Sequence, residues 1–195
     1  MVAASSFVLW VALQVPAPRP AMIERAEWGA MPPVLAMRPH TPTRVTIHHT
    51  GTPQRADLST AQKIKNLQLF SQREDKLADG RTKPAWGDVP YHYYIGVDGR
   101  IAVGRDEAFA GDTNTEYDPA GHVLVVVEGN FEVEKMLDAQ WTSLVATVWW
   151  LAQRHRVPVA SIQSHRDYAK TDCPGADLYR RLDDLRWELL VRRHQ

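Results

Sequence analysis

The residues of this chain that are best suited to chemistry are two histidines, far apart in sequence, and a single cysteine. His48 ends an apolar run, and His165 lies in a second polar motif near the C-terminus. Cys173 follows eight positions after His165 and is the only cysteine, so it has no partner for an intrachain disulfide. Two imidazoles and one thiolate can bind Zn²⁺ and leave its fourth tetrahedral position open for water, as in hydrolytic sites. These three residues are therefore candidate metal ligands.

The same residue types also fit other interpretations. A histidine at a strand end can have a purely structural role in which hydrogen bonds hold its ring. A lone cysteine can pack as a small apolar side chain. Alternatively, Cys173 could be the nucleophile of a cysteine hydrolase with His165 as its base. Metal removal would abolish the activity of a zinc enzyme. The activity of a cysteine hydrolase would survive metal removal and be lost on alkylation of the thiol. The residue types alone leave these alternatives open.

The composition is that of an ordinary soluble domain. The chain has 195 residues, 44% hydrophobic and 24% charged, enough for one domain with a sizeable core. Its formal net charge is +0, which provides no electrostatic case for nucleic acid or an anionic membrane as a partner. We expect a monomer that does not insert stably into a membrane.

The N-terminal segment contains a short apolar run at residues 7–13, followed by a proline-rich stretch. This run is too short to span a bilayer but suits the apolar core of an export signal. Residues 1–6 lack the Lys or Arg that normally precedes such a core, so a plain N-terminal strand or arm is the alternative. We predict a signal-like or flexible segment at 1–22, a domain at 23–195, and an extracellular or periplasmic location.

The hydrophobic periodicity predicts alternating strands and helices. The expected strands are 44–48, 91–97, 101–104, 123–127 and 161–164, with a hairpin turn at Asp98-Gly99. The expected helices run from a Ser59 cap to near Gly80, over 137–152, and through 178–189. This order predicts a single α/β domain, with a central mixed β-sheet of about five to six strands flanked by about three helices. His48 and His165 then follow strands, where α/β proteins commonly assemble their sites.

Several motifs occur in the order seen in one protein family. They are Arg25-Ala26-Glu27-Trp28-Gly29-Ala30, Ile47-His48-His49-Thr50, Val89-Pro90-Tyr91-His92-Tyr93-Tyr94-Ile95-Gly96, Asp98-Gly99-Arg100, Ser164-His165-Arg166-Asp167 and Thr171-Asp172-Cys173-Pro174-Gly175. Over about residues 23–185 the chain resembles the zinc-dependent N-acetylmuramoyl-L-alanine amidases, a family that includes peptidoglycan recognition proteins and phage lysozyme-type amidases.

The resemblance implies a function and a set of site residues. It implies Zn²⁺ as cofactor with His48, His165 and Cys173 as ligands, a catalytic hydroxyl from Tyr91, and an auxiliary polar role for Thr171, where some relatives place a lysine. The implied partner is peptidoglycan or a muropeptide, which would be cleaved between N-acetylmuramic acid and L-alanine. The zinc would lower the pKa of its bound water to about 7.

The family also contains alternatives. Some members recognise peptidoglycan without cutting it, typically through loss of the cysteine ligand, and the presence of Cys173 and Tyr91 favours catalysis. Cytoplasmic recycling amidases more often supply Asp as the third ligand. Relatives often carry a Gly-x-His segment and then an Asn before the central strand; here residues 110–114 contain no histidine and Asp118 stands in place of the Asn. This difference concerns glycan or stem-peptide contacts rather than the metal ligands.

Three further polar residues adjoin the candidate site. Because side chains alternate along a strand, His49 should face away from His48, and His92 away from Tyr91. We assign neither histidine a role. Asp167 could orient His165 as a hydrogen-bonded carboxylate, or it could be an exposed turn residue.

Overall fold

The computed structural model describes residues 17–77 and 79–193. Its central element is a mixed β-sheet of six strands. In chain order the strands are β1 (Met22–Ile23), β2 (Arg44–His49), β3 (Asp75–Lys76), β4 (Thr82–Lys83), β5 (Tyr93–Ile95), β6 (Ile101–Val103), β7 (His122–Val127) and β8 (Ile162–Ser164). The main sheet has the order β1-β6-β5-β7-β2-β8, in which only β5 and β6 pair antiparallel. Strands β3 and β4 form a separate antiparallel ribbon. The apolar run at 7–13 lies outside the described residues.

Helices cover both faces of this sheet. They are α1 (Thr60–Ser71), α2 (Asp138–Arg154), α3 (Ala176–Arg180) and α4 (Leu182–Arg192), with 3₁₀ turns at Val159–Ser161 and His165–Asp167. The predicted α/β class and the predicted number of sheet strands are confirmed. Within the described part of the chain, no helix has the length and apolar character needed to cross a bilayer.

Side chains that alternate along β7 pack into two separate hydrophobic clusters, one on each face of the sheet. Every residue of β7 is buried. Val125 belongs to a large cluster with Leu144 of α2 and Leu185 of α4, whereas Val126 belongs to a smaller cluster with Ile64 of α1. The sheet is therefore sandwiched between α2 and α4 on one face and α1 on the other, which explains the unbroken apolar sequence of β7.

The register of β2 and β8 brings the two histidine motifs together. The strands are parallel, and Ile47 lies opposite Ser164. His48 and His165 each come one residue later, so both reach the same edge of the sheet. Parallel strands present their carboxyl ends side by side, which is where sites form in such sheets.

The predicted end of the first helix was wrong: α1 ends at Ser71, not near Gly80. The physical reason is Lys83, whose buried Nζ donates to the carbonyls of Ser71 at 3.0 Å and Arg73 at 2.8 Å. These are carbonyls that a continuing helix would use for its own hydrogen bonds. A side chain twelve positions downstream therefore ends the helix.

Two other predicted elements differ in extent. The strand expected over 91–97 is limited to Tyr93–Ile95, so Tyr91 precedes it. The last helix, expected as one segment, is divided into α3 and α4 at Arg181. The backbone N–H of Arg181 bonds back to Leu178 and Tyr179, which closes the short α3 before α4 begins.

Core packing by α2 can be tested with Leu144, which is fully buried in the large cluster. Leu144→Ala is expected to lower the free energy of unfolding by about 2–5 kcal/mol, because the lost methyl groups leave a cavity. Leu69→Ala on α1, where the side chain is 44% exposed, is the control and should change it by less than about 0.5 kcal/mol. Denaturant unfolding measures both, and equal losses would contradict the assignment of Leu144 to the core.

Candidate metal centre

The three candidate ligands converge in the folded chain. One ligand atom from each of His48, His165 and Cys173 lies within 4.8 Å of the other two. The Nδ1 of His48 is 3.6 Å from the Sγ of Cys173. Donor atoms around a tetrahedral zinc lie about 3.3–3.6 Å apart, given the usual zinc–nitrogen and zinc–sulfur bond lengths. The donor set and its spacing therefore fit a zinc ion after only small side-chain shifts.

Local hydrogen bonds position His165 at the end of β8. It begins a 3₁₀ turn whose preceding residue, Ser164, donates through its backbone N–H and its hydroxyl to the Asp167 carboxylate, at 2.7 and 2.8 Å. The Tyr179 hydroxyl donates to the other Asp167 oxygen at 3.0 Å. Asp167 is thus an exposed turn residue that holds the backbone of the turn, the second of the two alternatives considered for it.

A tight loop places Cys173 beside β2. The backbone N–H of His49 donates to the Cys173 Sγ at 3.3 Å. Gly175 adopts a φ of +85°, and a Cβ there would lie 2.3 Å from the backbone of Phe131. Only glycine accommodates both the left-handed conformation and this close approach. The loop therefore packs against residue 131 and brings the thiol to the strand end.

Burial sets the protonation of the ligands. It lowers the pKa of His48 well below the ordinary value and that of His165 to about 4, so both imidazoles are neutral at neutral pH. Burial also raises the pKa of the Cys173 thiol to about 12. Neutral imidazoles are the form that binds metal, and a divalent cation lowers the pKa of a coordinating thiol until it deprotonates.

Tyr91 and Thr171 both lie at this centre. The ring centroid of Tyr91 is 5.2 Å from that of His48, and burial raises the pKa of the Tyr91 phenol, which keeps it protonated. The Thr171 hydroxyl oxygen accepts a hydrogen bond from the Cys173 N–H at 3.2 Å, so it supports the cysteine loop. The phenol is therefore a hydrogen-bond donor beside the candidate ligands.

The centre opens into a cleft of about 190 Å³. Its lining residues are His48, His49, Thr50, Trp86, Tyr91, Asp112, Thr113, Asn114, Thr115, His165, Thr171 and Cys173. A second cleft of about 470 Å³ shares Asp112, Thr113 and Thr115 with it and extends towards Arg38 and Asp118. The two clefts are therefore adjacent and share one wall.

His49 and His92 have structural partners. The Nδ1 of His49 accepts from the Phe131 N–H at 3.3 Å. The Nδ1 of His92 accepts from the Leu124 N–H at 2.8 Å, and its Nε2 lies 2.9 Å from the Phe109 carbonyl. Backbone groups therefore engage both nitrogens of His92 and the Nδ1 of His49. Neither ring belongs to the metal cluster, although His49 lines the same cleft.

Two hydroxyl side chains that were not predicted from the sequence touch the candidate ligands. Thr115 Oγ1 lies 2.7 Å from Nε2 of His165, and the Tyr117 hydroxyl lies 3.4 Å from Nε2 of His48. Both come from the loop before β7, where the sequence departs from the family pattern. No spacing relative to the histidines marks them, because the contacts span 50 and 69 positions.

Known sequences similar to this chain include amidases and peptidoglycan recognition proteins. The family model described as N-acetylmuramoyl-L-alanine amidase matches residues 38–176. Peptidoglycan-recognition protein SD of Drosophila melanogaster is 31% identical over 169 residues, which cover 81% of this chain and 82% of that protein. The N-acetylmuramoyl-L-alanine amidase of Homo sapiens is 27% identical over 166 residues, covering 82% of this chain and 27% of that protein.

Solved structures with the same fold include proteins of both kinds. The crystal structure of Drosophila peptidoglycan recognition protein SD has a TM-score of 0.69 at 25% identity, covering 82% of this chain and 91% of that one. The endolysin amidase LysCS of Clostridium intestinale has a TM-score of 0.67 at 23% identity, covering 89% of this chain and 98% of that one.

Proposed function

This chain belongs to the N-acetylmuramoyl-L-alanine amidase family, and from that membership we propose that it is a zinc-dependent hydrolase. Its proposed reaction is cleavage of the amide bond between N-acetylmuramic acid and L-alanine in peptidoglycan. The observation that carries the proposal is the convergence of His48, His165 and Cys173 within 4.8 Å. Two imidazoles and a thiolate leave one position open on a tetrahedral metal, which is the pattern of catalytic rather than structural zinc.

Recognition without cleavage is the competing function, because similar proteins include both recognition proteins and amidases. The complete donor set supports catalysis, since loss of the cysteine is the change that the family resemblance associates with pure binding. Tyr91 beside His48 supports it as well, because a binding module has no need of a protonated phenol next to an open metal position.

In the proposed mechanism His48, His165 and Cys173 would hold a zinc ion. Such an ion would supply Lewis acidity and a water whose pKa is lowered to about 7. Tyr91 donates its hydroxyl hydrogen bond to the substrate carbonyl oxygen as negative charge develops there. Thr171 has the auxiliary role of holding the cysteine loop through the Cys173 N–H. The larger cleft along Asp112 and Asp118 receives the glycan or stem peptide.

The proposal includes a location and a domain assignment. Residues 23–195 are proposed as the amidase domain, with a signal-like segment before it. The folded part begins earlier than residue 23, because Ala17 is buried in the large cluster and Met22 pairs with Ile101. An extracellular or periplasmic location follows from the substrate, because peptidoglycan lies outside the cytoplasmic membrane.

Product analysis of purified sacculi, with and without a chelator, tests this function. The expected products are stem peptides with free L-alanine amino termini and no new reducing sugar ends, and chelation should abolish their release. Mass spectrometry and reducing-end assays measure both outcomes. Binding to sacculi without any release would favour the recognition function, and new reducing ends alone would indicate a glycosidase.

A further inference from the structure

The hydroxyls of Thr115 and Tyr117 contact the two candidate ligand histidines on the same ring nitrogen. Thr115 Oγ1 lies 2.7 Å from Nε2 of His165, and the Tyr117 hydroxyl lies 3.4 Å from Nε2 of His48. A ring whose Nε2 is engaged in this way has only Nδ1 left for a metal. The Nδ1 of His48 lies 3.6 Å from the Cys173 sulfur.

A neutral imidazole has one N–H and one lone pair, so the partner of one nitrogen decides what the other can do. If Nε2 carries the hydrogen and donates it to a hydroxyl oxygen, the lone pair is on Nδ1 and faces the site. If the hydroxyl donates to Nε2 instead, Nδ1 carries the hydrogen and cannot coordinate. The direction of these two hydrogen bonds therefore determines whether the rings are ready to bind zinc.

The loop offers a partner for the hydroxyl hydrogen of Thr115. Its backbone N–H donates to the Thr113 hydroxyl oxygen at 3.1 Å, and the two threonine hydroxyl oxygens are 2.8 Å apart. Thr113 Oγ1 has a second lone pair with which to accept the Thr115 O–H hydrogen. In that arrangement Thr115 presents a lone pair to His165, and the ring donates to it through Nε2.

Packing fixes the position of Tyr117. Its ring stacks on Tyr168, with centroids 5.9 Å apart and planes 20° from parallel, and contacts His122 edge-on at 5.5 Å. Its centroid is also 5.0 Å from that of His165. This aromatic group holds the phenol oxygen beside His48, and the longer distance there makes its hydrogen bond the weaker of the two.

We propose that Thr115 and Tyr117 are positioning residues that hold both ligand histidines in the Nε2–H tautomer and thereby set the affinity for zinc. The inference rests on the proposed zinc function. It assigns a role to a loop in which this chain departs from the family pattern, and that role is separate from substrate contact. Partners on the second nitrogen of a ligand histidine typically change metal affinity by about 10–100-fold.

The test is the zinc dissociation constant of the full chain, measured by competition with a chromogenic chelator. Thr115→Val, which keeps the shape and removes the hydroxyl, is expected to weaken zinc binding by about 10–100-fold. Thr115→Ser keeps the hydroxyl and should restore affinity close to that of the wild type. Tyr117→Phe should weaken binding by a smaller factor. Thr43→Val, an exposed threonine at the opposite end of β2, is the matched control and should have no effect.

A second measurement keeps the test independent of folding. Nitrogen chemical shifts of the His165 ring in the metal-free wild-type protein should identify Nε2 as protonated, and an Nδ1–H tautomer would overturn the inference. Wild-type zinc affinity in folded Thr115→Val, or equal weakening in Thr115→Ser, would also overturn it while leaving the zinc function intact. If the wild-type chain binds no zinc, both this inference and the proposed zinc function are wrong.

Discussion

Cys173→Ser is expected to weaken zinc binding by more than about 100-fold, with a loss of amidase activity at least as large. Changes to residues that only touch a ligand reach about 100-fold in metal affinity, so removal of a ligand should exceed that. A serine hydroxyl does not ionise near neutral pH and is a poor replacement for a thiolate on zinc. Zinc competition and release of L-alanine amino termini from sacculi measure the two effects.

The serine variant should still fold, because its oxygen can accept the His49 N–H that now reaches the Cys173 sulfur. Thermal unfolding without metal checks this. Cys173→Asp is the matched variant: a carboxylate is a normal zinc ligand, so part of the affinity should return. A cysteine nucleophile would be indicated instead by a different set of results. Cys173→Ser would then keep full zinc affinity but lose all activity, and the wild type would resist chelation and be inactivated by alkylation.

Tyr91→Phe is expected to lower kcat by about 10²–10³ while leaving zinc affinity unchanged. Loss of one donor to a developing oxyanion commonly has that effect. The phenylalanine ring keeps the contact with the small core of α1 and its packing 5.2 Å from the His48 ring, so the ligand geometry should persist. A selective fall in kcat would place the role of the hydroxyl in the transition state.

Tyr93→Phe is the control for this change. Tyr93 lies two positions later but packs in the large core on the opposite face, with its hydroxyl on Glu107. Loss of the Tyr93 hydroxyl should leave amidase activity unchanged even if the free energy of unfolding falls. A drop in kcat of equal size in both variants, or weaker zinc binding in Tyr91→Phe, would contradict the assigned role of Tyr91.

The opposite faces of Tyr91 and Tyr93 could not have been predicted from strand alternation. Regular alternation puts residues two apart on the same face. Here the consecutive carbonyls of Tyr91 and His92 both accept backbone N–H groups from the segment that follows β6, from Arg105 at 2.9 Å and Gly104 at 2.7 Å. A regular antiparallel pair does not direct two consecutive carbonyls to one side, and such irregularities re-aim side chains. The kink turns Tyr91 towards His48.

Elements defined by local pattern were predicted well. The apolar run of β7 and the Asp98-Gly99 turn were identified because burial on both faces and a left-handed glycine leave direct traces in sequence. The end of α1 was not, because Lys83 terminates it from twelve positions away. The pattern of neighbouring residues contains no information about such a contact.

The sequence by itself determined the family, the α/β class and the types of donor atom: two imidazoles, one thiolate and a tyrosine hydroxyl in a fixed order. Only the tertiary structure decided that they meet. The parallel register of β2 with β8 brings His48 and His165 to one edge, and Gly175 lets the cysteine loop close onto Phe131. It also placed the Thr115 and Tyr117 hydroxyls beside Nε2 of the two histidines. The physical reason is that residue types fix which bonds can form, whereas distances between residues 50 to 125 positions apart depend on packing of the whole chain.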